Sequence, residues 1–258
     1  MPEAQLWADA MDAQGLQARA LPLIDIRPST NPHALQFAQH QLAEMPTAMQ
    51  AAMFVSAAAV NHFLIANNAY QDCRDALKAF QTGQCRAWAT GQGTVRALLA
   101  AGVPASRIDS PGQDANQWDS ESLWAQINPG LGKVRQVLIV RGADAAGQMQ
   151  GRDWLSRQLE AQGIKVQQVA AYERHLPVWS CEQQALARQA ASNGLWLFSA
   201  SEAVGNLARL MPGTSWRAAR ALATHPRIAQ AATKAGFGVV CESRPGLSQV
   251  MASIKSLQ

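Results

Sequence analysis

The chain has 258 residues, of which 48% are hydrophobic and 16% charged, with a formal net charge of +4. That balance provides core enough for one large domain or two modest ones and excludes a disordered chain, and no apolar run approaches the roughly 18 residues of a membrane span. The basic residues are dispersed, with no Lys/Arg block and no interleaved aromatic platform, which argues against a nucleic-acid partner and suits an anionic small molecule equally well.

The opening stretch, MPEAQLWADAMDAQG, carries Glu3, Asp9 and Asp12 and has no apolar h-region, so we expect no signal peptide and a cytoplasmic location. Its spacing predicts an amphipathic helix with Leu6, Met11 and Leu16 among the apolar positions. Strand-like runs follow at LQARALPLI (16–24), AAMFVS (51–56), CRAWAT (85–90), QVLIVRG (136–142), IKVQQVAAY (164–172), GLWLFS (194–199), ARALAT (219–224) and FGVVCE (237–242). Between most of them apolar residues recur at i, i+3 and i+4. This alternation predicts an α/β fold, parallel sheets flanked by helices. DIRPSTNPH (25–33) and YERHLPVW (172–179) break the rhythm with proline and charge and read as connectors. Cys73, Cys85, Cys181 and Cys241 show no CxxC spacing and the five histidines no HExxH, so no metal or disulfide is expected.

The chain also repeats itself. ATGQGTVRALLAAG (89–102) lies over ATHPRIAQAATKAG (223–236) without a gap, sharing Ala, Thr, a mid-helix Ala and the closing Ala-Gly. Upstream, MFVSAAAVNHFL (53–64) lies over LFSASEAVGNLA (197–208), sharing Phe54 with Phe198 and Ala59-Val60 with Ala203-Val204. Two pairs in the same order imply two similar α/β lobes.

Gly91 and Gly93 invite a dinucleotide reading, but the third glycine position holds Arg96, and Asp109 is a poor candidate for the ribose acid. The repeat copy has His225-Pro226-Arg227 where Gly91-Gln92-Gly93 stand. What both copies retain is a helix start: Thr90-Gly91 in one, Thr224-His225 in the other, with Pro226 suited to the first helical position. Ser56 is placed to cap the helix holding Val60, Phe63 and Leu64, and Ser199-Ala200-Ser201-Glu202 has capping-box spacing. Each start leaves amides unpaired at the positive end of a helix dipole, and in a parallel sheet these ends gather at the carboxyl edge of the strands. Two facing lobes would therefore line a cleft with anion-accepting helix starts; the alternative is ordinary caps. Arg141-Gly142 closes another strand, ahead of an Ala/Gly loop and Arg152. A strand-end arginine offers forked donors to a carboxylate, or pairs with solvent or a local acid.

In this order and spacing, PLIDIRP, FVSAAAV, ATGQGT, LIVRG, YER, FSASEAV and ATHPRIA resemble the uroporphyrinogen-III synthase family over essentially the whole chain. The resemblance implies two lobes joined by a two-stranded connector with the active-site cleft between them. Residues 1–25 with 177–258 would form the first lobe and 31–171 the second, with 26–30 and 172–176 connecting. It implies an enzyme, a cyclising hydro-lyase of porphyrin (tetrapyrrole, haem) biosynthesis that works as a monomer without cofactor or membrane. Its substrate would be hydroxymethylbilane, closed with loss of water through a spiro intermediate and with its last ring inverted. The polycarboxylate would be held at helix starts and strand ends, giving Ser56, Ala57, Gly91, Gly93, Thr94, Arg141, Gly142, Ser199, Ala200, Ser201, His225 and Arg227 as candidate contacts. Tyr172 matches the family's connector tyrosine. A phenol is protonated at neutral pH and can donate to the leaving hydroxyl; the alternative is a tyrosine bracing the hinge.

Three departures stand against the family pattern. Its opening strand and Arg-Pro have no counterpart, so this form is expected to be less stable than one extended by about ten residues, through unpaired strand-edge groups. Ile228 replaces a threonine common at that turn, and FVS and FSA each keep part of a Thr-Ser pair. The first two favour a rival from another class: a non-catalytic, two-lobed binding protein for an anionic ligand.

Overall fold

The structure, a computed structural model, describes residues 2–44, 51–65, 71–83, 85–112, 118–149 and 153–257. In chain order it runs α1 (Pro2–Asp12), β1 (Asp25–Pro28), α2 (Pro32–Glu44), β2 (Ala51–Phe54), α3 (Ala57–Val60), α4 (Gln71–Gln81), β3 (Arg86–Ala89), α5 (Gln92–Ala100), β4 (Ile108–Asp109) and α6 (Ser120–Ile127). There follow β5 (Gln136–Asp144), α7 (Trp154–Ala161), β6 (Lys165–His175), α8 (Cys181–Asn193), β7 (Leu195–Phe198), α9 (Ser201–Leu210), β8 (Arg220–Ala223), α10 (Pro226–Ala235), β9 (Val239–Glu242) and α11 (Leu247–Lys255). The chain divides into two units, Ile26–His175 and Met1–Asp25 with Leu176–Gln258. No helix among the described residues is long and apolar enough to cross a membrane.

The unit Ile26–His175 is built on a six-stranded sheet in the order β1-β6-β5-β2-β3-β4. The registers linking β6, β5, β2, β3 and β4 are all parallel. Its central strands are apolar on both faces, as a sheet covered on both sides requires. Ala52, Phe54, Ala87, Ala89, Leu138 and Val140 enter one core with residues of α2, α3, α4 and α5. The alternate residues Ala51, Met53, Trp88, Val137 and Ile139 enter the other, with α6 and α7. α2 shows why it packs: its buried residues Leu35, Ala38, Gln39 and Leu42 fall at i, i+3, i+4 and i+7. Arg86 of β3 makes a two-pronged pair with Asp109 of β4, which also accepts from the Trp88 indole, so Asp109 serves the sheet.

The other unit has a smaller sheet, β7-β8-β9, parallel throughout. One face packs Phe198, Trp196, Ala221 and Ala223 beneath α8, α9 and α10, with Trp216 against Trp196 at 5.4 Å and against Phe237 at 5.3 Å. The other face sets Leu222 against α11 and Met11 of α1. Leu6, expected on the apolar side of α1, is 66% exposed; Ala8 and Met11 are the buried positions, and Leu16 lies beyond the helix end.

The repeat is a structural one. β2 pairs with β3 from Ala51↔Arg86 to Phe54↔Ala89, and β7 with β8 from Leu195↔Arg220 to Phe198↔Ala223. The closing glycines Gly102 and Gly236 take φ of +92° and +93°, the left-handed turn that ends α5 and α10 and that L side chains resist. One expected strand is absent: residues 16–24 are irregular, and the chain becomes extended at Asp25, inside the stretch read as connector. Side chains take the backbone groups a ladder would have used. Trp179 Nε1 donates to the Pro22 carbonyl (2.7 Å) and Asn206 Nδ2 to that of Leu23 (2.8 Å).

Candidate active site

From β2 the chain moves outward through β3 and β4, then returns to place β5 and β6 on the other side of β2. The boundary between β2 and β5 is the topological switch point, where the connections leave a crevice at the carboxyl ends of parallel strands. The residues there are Val55 and Ser56 after β2, and Arg141 and Gly142 toward the end of β5; Val55 N–H still donates to the Val140 carbonyl at 3.2 Å.

Tyr172 is brought to this crevice by a flaw in the ladder. β5 and β6 pair regularly to Arg141↔Ala170, then resume at Gly142↔Tyr172, leaving Ala171 as an extra residue. Such a bulge re-aims the side chains that follow it, and Ala171 and Tyr172 both turn into the same core. The Tyr172 ring lies over Gly142: a Cβ there would sit 2.5 Å from Cε2 and Cζ and 2.9 Å from the phenol oxygen. That close approach is what glycine permits. The phenol oxygen is 3.0 Å from Ser56 Oγ, which also accepts from Ala59 N–H (3.1 Å) as the cap of α3. A serine, a glycine and a tyrosine from three elements thus meet in one place, with Tyr172 only 4% exposed.

The next residue, Glu173, is also buried. Its carboxylate accepts from the Thr30 hydroxyl and the Thr30 N–H (2.8 Å) on one oxygen and from His175 Nε2 (3.1 Å) on the other. The Thr30 hydroxyl, then its N–H, hold the Glu173 carboxyl below the usual glutamate range, with His175 adding to them against the cost of burial. This network fastens the segment after β1 to the end of β6. Beside Tyr172 stands His62, ring centroids 5.9 Å apart, on the π-turn Asn61–Ile65. Sequence reading passed over Thr30, His62, Gln39 and Glu173. The YERH run contained the glutamate, but its partner lies 143 residues away.

The other predicted residues are placed as follows. Ala57 opens α3. Gly91 is the N-cap of α5, extended and without a side chain to cap it; Gly93 lies in the first turn, and Thr94 is buried. Arg141 is not at a strand end, since β5 continues to Asp144; it is buried, with Nη1 donating to Gln168 Oε1 (2.8 Å) and Asp153 Oδ1 (3.3 Å). Arg152 lies outside the described residues. In the other unit, the capping box expected at Ser199 is not formed: α9 starts at Ser201, and its N-cap is Ala200, which has no side-chain oxygen to offer. A capping box is formed at Ser180 and Gln183 of α8 instead. His225 caps α10, its Nδ1 accepting from Arg227 N–H at 3.1 Å, with Pro226 at the first helical position and the Arg227 side chain exposed. Ile228, the departure from threonine, is buried in the core, as is Thr94, its counterpart in the repeat. Ser56, Ala57, Gly91, Gly93, Thr94, Arg141, Gly142 and Tyr172 thus belong to one unit, and Ser199, Ala200, Ser201, His225 and Arg227 to the other.

The family profile described as Uroporphyrinogen-III synthase HemD matches residues 5–251. Among solved structures, the chain is similar to a mutant uroporphyrinogen III synthase from the extremely thermophilic bacterium Thermus thermophilus, with a TM-score of 0.56 and 18% identity over 100% of this chain and 96% of that one. It is also similar to uroporphyrinogen-III synthetase from Helicobacter pylori 26695, with a TM-score of 0.58 and 19% identity over 83% of this chain and 85% of that one. At such identities the likeness speaks to the fold. No curated protein matches the chain in sequence.

Proposed function

The chain belongs to the uroporphyrinogen-III synthase family, the cyclising lyases of porphyrin biosynthesis, and from that premise we propose which of its residues act on hydroxymethylbilane and how. Ring closure requires the terminal hydroxyl to leave as water. Tyr172 is the donor: its phenol O–H can pass a proton to the leaving oxygen, and Ser56 Oγ at 3.0 Å can turn its own O–H toward the phenol oxygen as negative charge develops there. Gly142 holds the ring in place by leaving room for it. The single observation that carries this reading is the meeting of Ser56, Gly142 and Tyr172 at the switch point of a parallel sheet.

The acetate and propionate arms of the bilane need donors. The starts of α5 and α9, capped by Gly91 and Ala200, have no side chain at the cap to take up their first amides. Each offers an anion-binding end on its own unit. Arg227, exposed after the His225 cap, adds a charge in the first turn of α10. Arg141 supports the crevice wall through Gln168 and Asp153. We place the protein in the cytoplasm, acting as a monomer.

The test is direct: supply freshly made hydroxymethylbilane and resolve the isomers. The expected product is the type III isomer, with its last ring inverted. Only the spontaneous, uninverted type I isomer would mean that the chain is a binder and not a synthase. The family match gives that second reading no support.

A further inference from the structure

His62 is half-buried on the turn Asn61–Ile65, its ring 31° from parallel with that of Tyr172. The turn is a π-type widening, a feature that recurs at functional sites. It is held from beneath: Gln39 of α2, itself buried, donates Nε2 to the Phe63 carbonyl (2.7 Å) and to Cys73 Sγ of α4 (3.2 Å). In the repeat the position of His62 falls on Asn206, a buried side chain that anchors the Leu23 carbonyl. One copy uses this place to hold the chain; the other sets an imidazole there, beside a phenol.

The elements packed against the turn are α2, which carries His33, His40 and Glu44, together with α3, α4 and β6. α3 carries no ionisable side chain; α4 carries Asp72, Cys73, Arg74, Asp75 and Lys78; β6 brings Tyr172, Glu173, Arg174 and His175. Asp75 pairs with Lys78, and Glu173 with Thr30 and His175. Among the described residues, Tyr172 is the ionisable side chain whose ring meets that of His62. Burial accordingly holds the imidazole below its ordinary 6.5, neutral and basic at pH 7.

We propose that His62 is the proton acceptor that works opposite Tyr172 in ring closure, an inference that rests on the synthase reading above. The steps balance. The C–O bond of the hydroxymethyl group breaks, and the oxygen leaves with the electron pair and the Tyr172 proton as water. The cationic carbon is attacked by the already substituted α-carbon of the last pyrrole ring, giving the spiro intermediate. The older bond from that α-carbon to its methylene then breaks, leaving the methylene cationic, and the free α-carbon of the inverted ring closes on it. The carbon of that ring that makes the final bond gives up its proton to His62, and the C–H pair restores the aromatic ring. The imidazolium then returns a proton to the Tyr172 phenolate. The net change is loss of one water, with both residues reset.

The experiment compares wild type with His62→Gln on hydroxymethylbilane, reading kcat, KM and pH profile by type III product. Expected is a fall in kcat of about 10²-fold, as for loss of a positioned base, with KM unchanged. The acid limb of the wild-type kcat profile, where His62 protonates, should lie below the ordinary histidine value and vanish in the variant. An unchanged limb, or a raised KM with kcat intact, would overturn the proposal, the latter pointing to a substrate-binding imidazole. Should His62→Gln not fold, NMR titration of the wild-type imidazole decides instead. A pKa below 6.5 that moves in Tyr172→Phe supports the pairing, and an ordinary, unresponsive one overturns it. Wild type that makes no type III product would sink the synthase reading itself; type III product from both forms at equal rates would sink only the role of His62.

Discussion

Gly142→Ala is the sharpest probe of the crevice. The new methyl would stand 2.5 Å from two ring carbons of Tyr172, well inside contact distance, and the ring cannot swing into solvent because the residue is 4% exposed. Overpacking of this kind costs about 1–3 kcal/mol, and displacing the ring from Ser56 adds about 1 kcal/mol for the lost hydrogen bond. The expected loss is about 2–4 kcal/mol, which for a unit of this size lowers Tm by roughly 5–15 °C. Thermal unfolding of four proteins makes the test specific: wild type, Gly142→Ala, Tyr172→Ala and the double variant. If the clash is with the ring, Gly142→Ala should cost nearly nothing once the ring is gone, a strong non-additivity. Equal costs in both backgrounds would refute the reasoning, as would wild-type stability for Gly142→Ala.

Two further outcomes follow from the same contacts. Ser56→Ala removes both the α3 cap and the partner of the phenol, and should lower stability by about 1 kcal/mol in urea denaturation while reducing kcat; unchanged values of both would contradict its double role. Glu173 has its carboxyl held below the usual range in the folded protein, so its contribution is present above the ordinary glutamate value of 4.5 and is lost as pH falls through the lower folded value. The stability gap between wild type and Glu173→Gln should therefore be open at neutral pH and narrow as acid protonates the carboxylate, and a gap independent of pH would show that the carboxylate charge is not what Thr30 and His175 hold.

The layered α/β architecture was legible because the central strands are too apolar to be covered on one face only, and because the repeat keeps register without gaps. That register also contained information left unused. Laid out residue by residue, it sets Ala200 opposite Ser56 and His225 opposite Gly91, and these are the four N-caps. Capping-box spacing at Ser199 pointed one residue too early. Residues 16–24 look strand-like by composition, yet the Pro22 and Leu23 carbonyls are taken by Trp179 and Asn206, from 157 and 183 residues away. Tyr172 was found through its connector motif, but its setting was not: a bulge at Ala171 and a glycine made necessary by a ring on the neighbouring strand are tertiary facts. Arg141 looked terminal since Gly142 follows it; the strand runs on because Gly142 remains paired, with Tyr172.

The most direct measurement is the single-turnover rate of type III formation by Tyr172→Phe, which keeps the ring over Gly142 and removes only the hydroxyl. Loss of a positioned proton donor to an already labile leaving group should slow ring closure by about one to two decades, the low end for such catalysis. Closure at the wild-type rate would contradict the account and leave Tyr172 as a structural brace.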